Sequence, residues 1–110
     1  MNEILKVSDI TYKDIANYLH IGSPTNVEEY ELPKEEIKLL NNLINISKQF
    51  IMGYTGHTEE ELDNYADFVL VVFILCEDMY DNRTLYIDKT NLNKVVEVSL
   101  GMHSVNLLPW

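Results

Sequence analysis

The residues best equipped for chemistry lie in the stretch CEDMYDNRT, residues 76–84. It closes nine consecutive apolar residues, Phe68 to Cys76, and gathers Glu77, Asp78, Tyr80, Asp81, Asn82 and the chain's only arginine, Arg83. Such a set can serve as an acid/base site, as a binding surface, or as the end of a buried helix. On a helix continuing from the apolar run, Phe73, Cys76, Tyr80 and Arg83 fall near one face while Asp78 and Asp81 turn outward. Asn82 suits the left-handed position that ends a helix, and Arg83 can bond the last carbonyls and complement the negative end of the dipole. Alternatively, Arg83 forks onto a carboxylate of a loop or a neighbouring subunit, where bidentate geometry favours arginine over lysine. Both readings are architectural.

Other reactive groups form no matched set. His20, His57 and His103 fall in three different elements without ligand spacing and read as surface residues. The GYTG segment lacks the lysine of a phosphate-binding loop, no nucleophile elbow is present, and Cys76 has no histidine partner. Inside the apolar run Cys76 reads as a small buried hydrophobe of a reducing compartment. The TEEELD segment reads as a solvated helix start rather than an acid/base pair. The chain is therefore read as a non-enzyme with no cofactor and no metal.

The elements that must position these residues are helical. A chain of 110 residues with 46 % hydrophobic and 24 % charged residues can bury one core, which predicts a single domain. In the segment TYKDIANYLHI, Tyr12, Ile15, Ala16 and Leu19 share a face, with Asp9 or Thr11 as cap. A long second helix opens after Pro33 with Glu35 and Glu36 at its positive end, and Gly53 is expected to close it. Its apolar residues form two stripes: Ile37, Leu40, Ile44 and Ile51, and beside them Leu39, Leu43, Ile46 and Phe50. Together they span more than the arc one core requires. The second stripe is either a subunit interface or evidence of a helix wedged deep in its own core.

Thr58 and Glu61 have the spacing of a capping box. Asp63 or Asn64 is expected to cap a third, central helix, YADFVLVVFILCEDMY, whose middle is apolar all round. LYIDKT reads as extended, and a last helix is expected from Thr90 or Asn91 with Leu92, Val95, Val96 and Leu100 at helical spacing. The predicted fold is thus all-α, a small bundle of four to five helices. The closing residues include Leu107, Leu108 and Trp110, large apolar groups that either fold back or dock on a partner.

Eighteen acids against eight bases give a net charge of -10, which argues against phosphate-backbone binding as the main role. The first residues carry no basic segment followed by an apolar core, and the apolar run is about half of a membrane span. These features predict a soluble, cytoplasmic product without membrane contact.

The order of ITYKDIANYLHI, a long helix running into FIMGYTG, an acidic TEEEL, a buried helix ending in YDNR and a short last helix resembles the head-tail connector, or adaptor, family of long-tailed bacteriophages, also labelled phage DNA-packaging proteins. The resemblance covers about residues 8 to 105 of one connector domain spanning 1–110. The ends, 1–7 and 105–110, depart from the family's pattern and are expected to be flexible. By position, Tyr54, Thr55 and Gly56 match the turn after the family's long helix, and Tyr80, Asp81, Asn82 and Arg83 match the box ending its central helix, both fold-supporting. The resemblance implies a structural protein made in the host bacterial cytoplasm and carried in the virion neck. There it would form a twelvefold ring under the portal protein, extend the DNA channel and dock the next neck or tail protein. The acidic charge fits a lumen through which DNA slides without specific binding, whereas a lumen lined by Lys6, Lys13 or Lys94 would contradict that idea. The rival is a small acidic inhibitor or DNA mimic binding a basic enzyme surface through Glu28, Glu29, Glu31 and Glu59 to Glu61.

Overall fold

Among the described residues three helices pack around a fourth, the one that carries the apolar run. The computed structural model describes residues 6–19 and 32–105. It contains α1 (Tyr12–Leu19), α2 (Lys34–Thr55), α3 (Asp67–Asn82) and α4 (Lys94–His103), with short 3-10 turns at Val7–Asp9, Glu60–Asn64 and Lys89–Asn91. No strand occurs among the described residues, so the all-α expectation holds and LYIDKT is irregular rather than extended pairing.

The α3 helix is central because its sequence gives nearly every direction an apolar group. Phe68, Val69, Val71, Val72, Ile74, Leu75, Cys76 and Met79 are all buried. Each large side chain removed from water contributes about 1.5–3 kcal/mol before ordering costs, so this helix dominates the core. Around it pack α2, α4 and α1, the last pinned by stacking of Tyr18 on Phe73 at 5.1 Å between ring centroids. The apolar girdle has one outward gap, at Leu70, which is 46 % exposed.

The two stripes of α2 resolve into one buried row with flanks. Leu40, Leu43, Ile44, Ser47, Ile51 and Thr55 are buried, at spacings of three and four residues. The broad apolar arc is explained by three neighbours in the same chain, since α2 packs on α1, α3 and α4. Leu43 is fully buried in this core and has no surface to give a subunit interface, which corrects its assignment there. Leu39, Ile46 and Phe50 are partly buried along the flank. Ser47 interrupts the apolar row, and its hydroxyl meets the Cys76 thiol at 3.5 Å, so neither polar atom is orphaned. Burial pushes the Cys76 thiol up to about 11, against a lesser opposing pull from Ser47, which leaves it an unreactive core group.

Several helix ends fall one to three residues from their expected places. Gly53 lies within α2, and the helix runs on to Thr55, because Gly56 supplies the left-handed residue at φ 84 and donates its N–H to Met52 O. The α3 helix starts behind Ala66 without a side-chain cap, since Asp63 is engaged by Ser8 through its backbone N–H at 3.0 Å and its hydroxyl at 2.8 Å. At α4 the cap is Asn93, whose side chain accepts from Val95 N–H at 2.8 Å, while Thr90 and Asn91 belong to a preceding turn organised by Asp88. Thr11 leads α1 by donating to Asp14 through both its N–H and its hydroxyl. The body extends into both ends expected to be flexible: Val7 is buried, and Val105 is hydrogen-bonded to Thr55 O.

Candidate functional site

The two motif segments, Tyr54–Gly56 and Tyr80–Arg83, terminate α2 and α3. Because Ser47 meets Cys76 while Glu36 meets Tyr80, these helices run antiparallel, and the two segments lie toward opposite ends of the bundle.

At the α2 end, the chain closes upon itself. Thr55 is buried, donates its hydroxyl to Ile51 O at 2.7 Å and accepts the His57 N–H at 3.3 Å. Thr58 and Glu61 form the expected capping box: Thr58 N–H donates to Glu61 Oε1 at 2.8 Å, and Glu61 N–H to the Thr58 hydroxyl at 3.3 Å. The Thr58 N–H first, and the His57 ring second, hold the Glu61 carboxyl below its usual range. The end of α4 is clipped here as well, by Val105 N–H to Thr55 O at 2.7 Å and the Ser104 hydroxyl to Tyr54 O at 3.5 Å.

Histidines that read as unrelated surface groups meet at this junction. The His57 side chain is only 8 % exposed. Its Nε2 lies 2.7 Å from His103 O and its Nδ1 3.2 Å from Glu61 Oε1. Tyr65 stacks on the His103 ring at 4.2 Å and touches His57 at 5.2 Å, and Phe68 meets His103 edge-on. Asp67 Oδ2 accepts from both the Ser99 hydroxyl and His103 Nε2. In a nucleophilic relay the hydroxyl would face a histidine nitrogen; here both groups point into one carboxylate oxygen, an arrangement that fixes α4 against the start of α3. His57 with Glu61, and Ser99 with His103, each sit four residues apart, the one sequence signal of this network.

At the α3 end, the helix finishes but the surface stays open. Arg83 rather than Asn82 takes the left-handed position, at φ 56, and it is the one non-glycine residue with positive φ among the described residues. Arg83 N–H donates to Tyr80 O at 3.3 Å and Thr84 N–H to Met79 O at 3.0 Å, a pair of bonds that closes the helix. Asn82 is displaced from the expected role because its amide donates back to Asp78 O at 2.8 Å, keeping it in the helical turn. Placing a side chain in this region costs roughly 1 kcal/mol or more. Tyr80 donates its hydroxyl to Glu36 Oε2 at 2.7 Å, which ties α3 to the first turns of α2 and holds the phenol above its usual range. Asp81 is exposed.

Two clefts flank this end. One of about 220 Å³ is lined by Leu39, Leu43, Met79, Tyr80, Arg83, Thr84 and Leu85, so Leu39 of the expected α2 interface and two residues of the motif meet there. The Arg83 guanidinium pairs with no carboxylate among the described residues. The other cleft, of about 360 Å³, has Asp78, Asn82, Tyr86, Asp88 and Asn91 around Leu75. Burial, then the nearby Asp81 charge, push the Asp78 carboxyl up, whereas Asn91 and Thr90 hold Asp88 down. Leu85 and Tyr86 between these clefts are 58 % and 65 % exposed. No group of three or more His, Cys, Asp or Glu that could hold a metal occurs among the described residues, and no described helix is long and apolar enough to cross a membrane. The expected docking residues Leu107, Leu108 and Trp110, with His20, Glu28, Glu29 and Glu31, lie outside the described residues. Compared with known proteins, the chain matches no family model, no curated protein and no solved structure.

Proposed function

We propose that this chain is a structural connector of a bacteriophage neck, a non-enzymatic subunit that works as part of a ring under the portal. It would extend the DNA channel and present a docking surface to the next neck or tail protein. The observation that carries this reading is the α3 end, where the YDNR segment closes a helix yet leaves a largely apolar cleft and an arginine with no carboxylate partner among the described residues. The resemblance in element order supplies the class. A ring subunit needs two different contact patches, and a second apolar surface is available on α4, where Val95, Val98 and Met102 are 50 %, 52 % and 70 % exposed. Those three positions lie at the three-and-four spacing of a helix-packing seam.

The acidic charge supports a lumen that does not hold phosphates. Quantitative mass spectrometry of purified virions and tailless heads, with the portal protein as internal standard, tests the proposal. Equal abundance with the portal in finished particles is the expected result. Absence from particles would overturn it and favour a small acidic inhibitor, for which the exposed Glu59 and Glu60 would be the first residues to replace.

A further inference from the structure

We propose that neighbouring subunits are joined by charge at the α3 end, with the Arg83 guanidinium of one copy seated on the Asp78 and Asp81 carboxylates of the next. The inference rests on the ring in the reading above and names one of its contacts. Arg83 follows Asp78 by five residues, which at about 100° per residue sets the two roughly 140° apart around the helix axis. They accordingly line different clefts. Arg83 shares one with Leu39 of α2, and Asp78 borders the other, where Asn91 and Leu92 lead into α4. Leu85 stands at the first cleft and Tyr86 at the second, both exposed.

The two flanks carry opposite charges that their own helix does not bring together. Asp78, Asp81 and Arg83 are all exposed, and none of them forms an ion pair among the described residues. Both partners also burden the isolated chain. Arg83 holds a positive φ that glycine or asparagine adopts more easily. Partial burial, then the Asp81 charge, disfavour the ionised form of Asp78, and a cation from outside would relieve that penalty. Copies that each carry a net charge of -10 repel one another, so a contact between them must set its few cations against carboxylates. The arginine fork can engage two carboxylate oxygens at once. Because donor and acceptor lie on opposite flanks, each copy gives its guanidinium to one neighbour and receives that of the other. Such a contact is heterologous, the kind that generates rings when its rotation closes.

Sedimentation of the full chain over a wide concentration range reads the contact, and concentration-dependent assembly is the expected result. Two variants reverse its signs at exposed positions: Arg83→Asp, in which aspartate tolerates the positive φ, and Asp78→Arg combined with Asp81→Asn. Each alone sets like charges together and should raise the midpoint concentration at least about tenfold. Mixed in equal amounts, the two should assemble close to the original midpoint, since each supplies the sign that the other lacks. A chain that stays monomeric throughout would overturn the proposal, as would single variants that assemble like the original. A mixture as impaired as its components would overturn it too, and is what an Arg83 bound to a carboxylate of its own chain would give. Those results leave the neck assignment standing if the chain is abundant in particles. Conversely, a rescued mixture from a chain absent from particles would keep this contact and remove the neck.

Discussion

The C-terminal ends of α2 and α3 face one physical problem, a row of helix carbonyls without partners, and they meet it in opposite ways. At the α2 end Gly56 turns the chain and donates to Met52 O, Ser104 and Val105 return hydrogen bonds to Tyr54 O and Thr55 O from a later segment, and the His57 ring bonds His103 O at the end of α4. At the α3 end the carbonyls are closed locally, by the backbone N–H groups of Arg83 and Thr84 and by the Asn82 amide on Asp78 O, and the side chains around them line clefts. An end that satisfies its polar groups internally serves stability. One that holds an arginine at positive φ and an exposed leucine and tyrosine keeps apolar surface in water.

Truncating the packing should separate the two ends most widely. Phe68 is fully buried between Tyr65 and His103, so Phe68→Ala should lower unfolding free energy by about 3–5 kcal/mol. Leu85→Ala at the open end should change it by less than about 0.5 kcal/mol. Denaturant unfolding of both variants measures the contrast, and equal losses would mean that the α3 end is as closed as the other.

The backbone offers a test by sign. Gly56→Ala forces a side chain into φ 84 and should cost about 1 kcal/mol, whereas Arg83→Gly relieves φ 56 and should stabilise the isolated chain by up to about 1 kcal/mol. Thermal melts of the two variants should therefore move in opposite directions. A destabilised Arg83→Gly would show that the guanidinium supports the chain's own fold.

How far these ends could be foreseen follows from the range of the interactions. The helices themselves, the capping box of Thr58 with Glu61, and the burial of Cys76 were legible because each depends on residues a few positions apart or on a continuous apolar run. The left-handed residue was misplaced by one position because Asn82 had a competing acceptor, Asp78 O, that propensity does not reveal. His57 and His103 lie 46 residues apart, and only the fold shows that one ring bonds the other's carbonyl. Leu43 was set on the wrong side because a broad apolar arc looks the same whether its second neighbour is another subunit or α1 and α4 of the same chain.

Charge provides a smaller contrast. Asp67→Asn weakens bonds from Ser99 and His103 at the closed junction and should cost about 1 kcal/mol, since the carboxylate is partly exposed. Asp78→Asn should leave stability unchanged or slightly higher, because burial and the neighbouring Asp81 charge already disfavour the ionised form.

Titration separates Asp78 from Asp63 and Glu61. For Asp63 burial pushes upward, but the Ser8 bonds and the Lys6 and Lys48 charges outweigh it, so its carboxyl, like that of Glu61, lies below the usual range. A lowered folded-state value means stability present at neutral pH and lost as acid protonates the group, below about pH 4. Asp78 has the opposite sign: its penalty at neutral pH is relieved as acidification carries it through its raised value. Carboxyl NMR should show Asp78 protonating first and Asp63 and Glu61 after it, and the reverse order would contradict the opposite signs assigned to these carboxyls.

Amide hydrogen exchange of the full chain, followed by mass spectrometry at low and at high protein concentration, addresses the central distinction most directly. Residues 79–86 should gain protection as copies associate, while residues 54–61 and 99–105, already closed by their own chain, should exchange at the same rate in both samples. Protection gained at the α2 end with none at the α3 end would contradict the assignment of the open surface as the place where a partner completes the molecule.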